Sequence, residues 1–281
     1  MDLSNEYKGW SIAECILIFI FTTVAIQVCA FGFMALSHGV ISILDSGLSS
    51  SLSNYIELFA RTIASILVIG YILTKSSLKV IFKQRVGKKI EVSLLFFGIL
   101  LLIGYILTYS TSIDLLLINI PYSQAFIDAA NNWVTDSKHA FLSTILFAPV
   151  FEEILHRGII LEKLSRKYNV FISISVSALI FAFSHLNFVQ GINAFFLGIL
   201  FSFIYIKSGS LLTSILIHLI NNLYFYLITF IPNMPRINYG EFNIYRLLVG
   251  ILLLITSLLY FYKTKKNILY PIKTIKKGDL Y

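Results

Sequence analysis

Charge is what this sequence has little of. Only 13% of its 281 residues are Asp, Glu, Lys or Arg, while 57% are hydrophobic and the mean hydropathy is +0.83. A soluble domain carries about 25% charged residues, so too little polar surface is present here to wrap a soluble core, and that class is excluded. Cysteine is nearly missing: Cys15 and Cys29 fall fourteen residues apart in one predicted helix, roughly 21 Å of rise and too far to bridge. No serine or cysteine sits in a nucleophile motif, and there is no HExxH zinc helix. Internal repeats and low-complexity tracts are absent as well. The first apolar run is too long for a signal-peptide core and lacks a small-residue cleavage site, so no cleavable leader is expected. The net charge of +8 does not indicate nucleic acid. Lys and Arg fall in short clusters between apolar runs, without a basic face or aromatic interleaving.

What the chain does have is long apolar runs. Roughly 20 apolar residues cross the hydrocarbon of a bilayer, and eight runs approach or reach that length: about 11–36, 55–73, 92–109, 139–161, 170–188, 190–207, 211–230 and 243–262. The expected fold is an all-α, polytopic membrane helix bundle of about eight transmembrane helices, one integral-membrane domain over 1–281. Positive charge orients it. Lys8, the group Lys75, Lys79, Lys83, Arg85, Lys88 and Lys89, then Lys163, Arg166, Lys167, Lys207 and the tail Lys263, Lys265, Lys266, Lys273, Lys276 and Lys277 all fall on one side. The other side holds Lys138 and Arg236, with Arg246 just inside the last span. Both termini are therefore expected in the cytoplasm, and the connection 110–138, with Asp114, Asp128, Trp133 and Asp136, outside.

Against that background the stretch FAPVFEEILHRGII, residues 147–160, stands out. An ionised side chain at a helix centre costs about 2.5–3.5 kcal/mol on insertion scales, so Glu152, Glu153 and Arg157 must face the bundle interior or pair. Glu153 and Arg157 stand at i and i+4 and can form an ion pair. Glu152 is turned about 100° away and lacks that partner. Pro149 cannot donate its N–H and is expected to kink this span. Phe181 and His185 in FAFSH, and His218 and Asn222 in HLINN beside Asn221, repeat the i, i+4 spacing in two further spans. Glu57 and Arg61, also i and i+4, read as a structural clip, and Glu14 as interfacial. On span arithmetic Glu152 and His218 lie roughly 10–14 Å from the cytoplasmic side and His185 about 22 Å, a gap that tilt or a kink must close.

These groups suit hydrolysis by an activated water. A desolvated glutamate can take a proton from water, one imidazole can orient that water and protonate a leaving amine, and a second imidazole with an amide can donate to an oxyanion. Glu152, His185 and His218 also match zinc in ligand type.

EEILHRG fits EExxxR (Glu152, Glu153, Arg157), FAFSH fits FxxxH (Phe181, His185) and HLINN fits HxxxN (His218, Asn222). In this order, across residues 139–230, the motifs resemble the CPBP family of CAAX proteases and bacteriocin-processing enzymes, also called ABI, which includes the type II CAAX prenyl endopeptidases. The resemblance implies a membrane-embedded protease in which Glu152 activates water with His185, Glu153 and Arg157 support it, and His218 with Asn222 binds the oxyanion. It implies a glutamate-type mechanism, and no cofactor is expected, with zinc on Glu152, His185 and His218 as the alternative. His156 replaces the bulky apolar or aromatic residue usual within EExxxR. From there it either touches Glu152 or faces the cytoplasmic rim.

Two functions follow. The first is an endopeptidase acting on a small hydrophobic or lipidated peptide or a membrane protein. The second is a non-catalytic partner of the same fold, acting in bacteriocin immunity or on another membrane protein. An unpaired buried glutamate favours the first. Sixteen Lys against six Arg, with abundant Ile, Asn and Ser, point to an AT-rich bacterial genome and a multi-pass protein of the bacterial plasma membrane. Membrane lipids are the expected surroundings, and nucleic acid is not an expected partner.

Overall fold

The computed structural model describes residues 9–44, 50–75, 78–230 and 241–264. Lys8, Arg236, Lys265, Lys266, Lys273, Lys276, Lys277 and Tyr281 lie outside the described residues. Every regular element among the described residues is helical.

Helix α1 (Ile12–Leu44) begins at a capping box. The Ser11 hydroxyl accepts from the Glu14 amide at 3.2 Å, and the Glu14 carboxylate accepts from the Ser11 amide at 2.6 Å. Glu14 is thus the reciprocal half of a helix cap. Helix α2 (Ser50–Lys75) packs on α1 through Ala30, Ala60 and Ala64, small residues that let two backbones approach. It carries the Glu57–Arg61 clip at 2.7 Å.

Short helices that the apolar runs do not announce follow α2 and then α4 (Val92–Ser110): α3 (Lys79–Gly87), α5 (Ile113–Leu117) and α6 (Gln124–Thr135). A continuous helical run over 137–165, α7, comes next, then α8 (Val170–Phe183), α9 (Phe188–Ser208), α10 (Leu211–Phe230) and α11 (Ile244–Lys263). Asparagine starts α8, α9 and α11: the side chains of Asn169, Asn187 and Asn243 each accept from the amide three residues on. Gly209, at φ 62°, ends α9 in the left-handed region that favours glycine.

Among the described residues six helices are long and apolar enough to cross a membrane: Ile12–Ser37, Leu52–Lys75, Val92–Ser110, Phe188–Ser208, Leu211–Phe230 and Ile244–Lys263. The other two of the eight apolar runs form helices that fall short, for physical reasons. Helix α8 has 14 residues, not the expected 19 of 170–188, and at roughly 21 Å it is shorter than the hydrocarbon. It stops at Phe183, and Leu186 in the turn that follows has φ 51°. Helix α7 is interrupted by charge and geometry: Phe141–Phe147 and Ile154–Leu161 are π-helical, with α-helical Ala148–Glu153 between them.

That interruption is the form taken by the disruption expected of Pro149. The Ala148 amide reaches back five residues to the Ser143 carbonyl, where an α-helix would take it to Thr144. The wider turn makes room for a ring that would collide with the carbonyl four residues back.

Helix α7 lies at the centre of the packing. Its Leu155, Ile159, Ile160 and Leu164 share a core with α1, α2 and Ile180 of α8. Leu161 joins Tyr205, Leu211 and Ile215 in a second core, beneath Phe82 and Val86 of α3. A third core binds α4, α9, α10 and α11.

Candidate active site

Of the charged residues of α7, Glu153 and Arg157 are both 0% exposed. As their spacing predicts, Arg157 Nη1 donates to Glu153 Oε1 at 2.9 Å. Two unscreened charges in the interior need their remaining hydrogen-bonding capacity used; other helices supply part of it here, while Arg157 Nε keeps no partner among the described residues. Arg157 Nη2 donates to the Gly198 carbonyl of α9 at 3.1 Å, and the guanidinium lies over the rings of Phe181 and Phe201 at 4.7 and 5.5 Å. Ser214 Oγ of α10 donates to Glu153 Oε2 at 2.5 Å.

His218, one turn beyond Ser214, brings its Nδ1 to 2.9 Å from Glu153 Oε1. A carboxylate paired with a guanidinium can only accept, so Nδ1 carries a proton, and in the neutral tautomer the lone pair sits on Nε2. Stacking on Phe201, with centroids 4.6 Å apart, holds the imidazole. Nε2 lies 3.7 Å from Glu152 Oε2. Glu152 is the accessible acid: its side chain is 33% exposed, against 0% for Glu153.

Helix α8 ends just before the second imidazole. His185 Nδ1 lies 2.9 Å from the Phe181 carbonyl, which can only accept, so here too Nε2 keeps the lone pair. The His185 and His218 rings meet the same Phe181 ring edge-on, at 5.0 and 5.9 Å. The depth gap counted from span lengths is closed to that extent. Asn222, expected beside His218, has a different neighbour: its Nδ2 donates to the Thr144 carbonyl of α7 at 2.8 Å, and its Oδ1 accepts from Asn221.

His156 does neither of the two things expected of it. It is 1% exposed and packs between Phe19 of α1 and Phe181 of α8, at 5.9 and 5.1 Å. It makes no ion pair with Glu152 among the described residues.

The donor set proposed for zinc, Glu152, His185 and His218, does not converge. Among the described residues no three His, Cys, Asp or Glu side chains are placed to hold a metal ion.

Ser214, Phe201 and the carbonyls of Gly198 and Thr144 belong to this constellation and were not read from the sequence. Nothing in a serine or a glycine inside an apolar run marks it. The one usable signal is that Ser214 precedes His218 by four residues and so shares its face. A second buried network closes the far end of α7. Glu162 Oε1 accepts from Arg85 Nε of α3 and from the Tyr205 hydroxyl of α9, each at 2.7 Å.

Residues 136–224 match the family model of type II CAAX prenyl endopeptidase Rce1-like proteins. No curated protein and no solved structure matches the chain. The matched segment runs from the start of α7 into α10 and contains the Glu153–Arg157 pair, Glu152 and the further motif residues Phe181, His185, His218 and Asn222. Over this segment the chain, a multi-pass bundle of membrane-spanning helices, is similar to the type II CAAX prenyl endopeptidases of the CAAX protease (CPBP) family.

Proposed function

We propose that the protein is a membrane-embedded endopeptidase in which Glu152 is the general base that activates water. The observation that carries this reading is an asymmetry between adjacent acids. Glu153 is buried and held by Arg157, Ser214 and His218, while the Glu152 side chain is partly exposed and lies 3.7 Å from His218 Nε2. A scaffold has no use for the second arrangement. It serves catalysis because Glu153 fixes the tautomer and orientation of His218, leaving an acceptor beside the free carboxylate.

Water between Glu152 and the imidazoles gives its proton to the Glu152 carboxylate as its oxygen attacks the scissile carbonyl. The tetrahedral intermediate collapses when that proton passes to the departing amine, and Glu152 is regenerated. His185, across the Phe181 ring, orients the water or the amine. An oxyanion role for His218 requires a proton on Nε2 in addition to the one on Nδ1. No step requires a metal. The substrate class is a small hydrophobic or lipidated peptide, such as a bacterial peptide precursor in the plasma membrane, reached within the bilayer.

Peptide mass spectrometry of membranes from cells carrying wild-type protein or Glu152→Gln tests the reading. Products present with the wild type and missing with the variant are expected. Identical peptide profiles at equal protein yield reject the enzyme and favour the non-catalytic partner in immunity or regulation.

A further inference from the structure

The Thr144 carbonyl faces a problem created five residues away. In the π register of Phe141–Phe147 a carbonyl is served by the amide at i+5, as Ser143 is by Ala148. For Thr144 that position is Pro149, which has no N–H, and the α-helical alternative, the Ala148 amide, is already spent on Ser143. A carbonyl left without a donor inside an apolar bundle costs free energy comparable to a lost hydrogen bond. The donor it has is Asn222 Nδ2, at 2.8 Å, from α10. The Asn222 amide is itself held, since its Oδ1 accepts from Asn221 Nδ2 at 3.1 Å.

We infer that Asn222 is a positioning residue: it replaces the amide that Pro149 lacks, and so clasps the opened turn of α7 to α10 and sets where the next turn places Glu152. Two contacts then bring α7 and α10 into register, one at each end of the Ala148–Glu153 stretch. Asn222 holds Thr144 before it, and Ser214 with His218 holds Glu153 at its end. Glu152 lies between these two anchors. Its approach to His218 Nε2 is therefore fixed from both sides, although Glu152 makes no hydrogen bond of its own to α10 among the described residues. The positioning role for Glu152 rests on the peptidase reading; the clasp does not.

Pro149→Ala supplies the missing N–H, so the partnership can be tested by a double-mutant cycle. In purified full-length protein, Asn222→Ala should lower the thermal midpoint by about 3–8 °C, the loss expected for one buried carbonyl left unpaired in a chain of this size. Amide exchange over 144–153 should quicken with it. In the Pro149→Ala background the same substitution should cost less than half as much. Equal costs in both backgrounds would overturn the clasp, and this arm needs no substrate. The second arm measures peptide processing. If Asn222 acts through Thr144, Asn222→Ala loses activity and Pro149→Ala/Asn222→Ala recovers a tenfold or larger part of it. If stability returns in the double variant while activity stays lost, Asn222 touches the reacting group directly and the positioning role is wrong. Should wild-type protein process nothing, the peptidase reading fails while the first arm still decides the clasp.

Discussion

The two glutamates side by side in α7 are chemically alike and placed to do opposite things. Glu153 is surrounded by donors and Glu152 is not, so their substitutions should separate cleanly. Glu152→Gln keeps volume and removes only the proton acceptor. The variant should fold with a thermal midpoint within a degree or two of wild type while processing falls by at least a hundredfold, checked by melting curves and peptide mass spectrometry. Arg157→Ala leaves Glu153 buried without its counter-charge, a change that costs about 3–5 kcal/mol. It should show as lost yield or a collapsed melting transition. The ion pair was legible because both partners lie on one helix at i and i+4. Ser214 and the Gly198 carbonyl were not, because their approach depends on how three helices pack.

Lys163, beyond the apolar run of α7, gives a pH dependence whose sign can be worked out. Burial, with the neighbouring Arg166 charge, lowers its amine from 10.5 to about 8, while the Trp10 ring lies 5.1 Å from Nζ. The folded value lies below the unfolded one, so protonation favours the unfolded chain. Stability should therefore fall as pH drops from about 10.5 to about 8 and level off below, and Lys163→Met should flatten that slope in melts recorded across this window.

At the level of helices, packing is closest where side chains are missing. A Cβ on Gly104 of α4 would meet the Gly250 carbonyl and the Leu254 amide of α11 at 2.9 Å, and both are backbone atoms that cannot swing aside. Gly104→Ala should force the two helices apart and cost about 1–3 kcal/mol. Gly70→Ala in α2 has open space around the new methyl and should be neutral or slightly stabilising. Thermal melts of the two variants side by side make the comparison, and equal losses would mean that the α4–α11 contact is not close. The existence and order of the long helices were legible from the apolar runs, because hydrocarbon thickness sets run length. The π stretches of α7 and the early end of α8 at Phe183 were not. They depend on how Pro149 and the turn 184–187 are accommodated by neighbours, which periodicity does not encode.

For the molecule as a whole, the charge count and the packing make one joint prediction about topology. The described basic residues assigned to the cytoplasm, Lys75, Lys79, Lys83, Lys88, Lys89, Lys163, Arg166, Lys167, Lys207 and Lys263, fall at helix ends or in connections. Several are tied together across the sequence: the α3 helix reaches the end of α7 through Arg85 and Glu162, and the Trp10 amide donates to the Lys163 carbonyl at 3.1 Å. These contacts require the start of α1, helix α3 and the end of α7 to share one side, whatever that side is. The Tyr226 hydroxyl donates to the Ser137 carbonyl at 3.1 Å and the Asn187 amide to Ser123 at 3.2 Å, which gathers the 110–138 connection at the opposite end. Helices α7 and α8 must therefore traverse the bundle although neither is a long apolar helix, and eight crossings follow. Thiol labelling decides the matter after replacing Cys15, which is buried, and Cys29, which is exposed. A cysteine at Asn131 should react with an impermeant reagent in intact cells, and one at Lys88 only after the membrane is opened. The reverse pattern would invert the orientation while leaving the bundle intact; reaction of both from the same side would remove a crossing, and with it the shared face on which Glu152 meets His218.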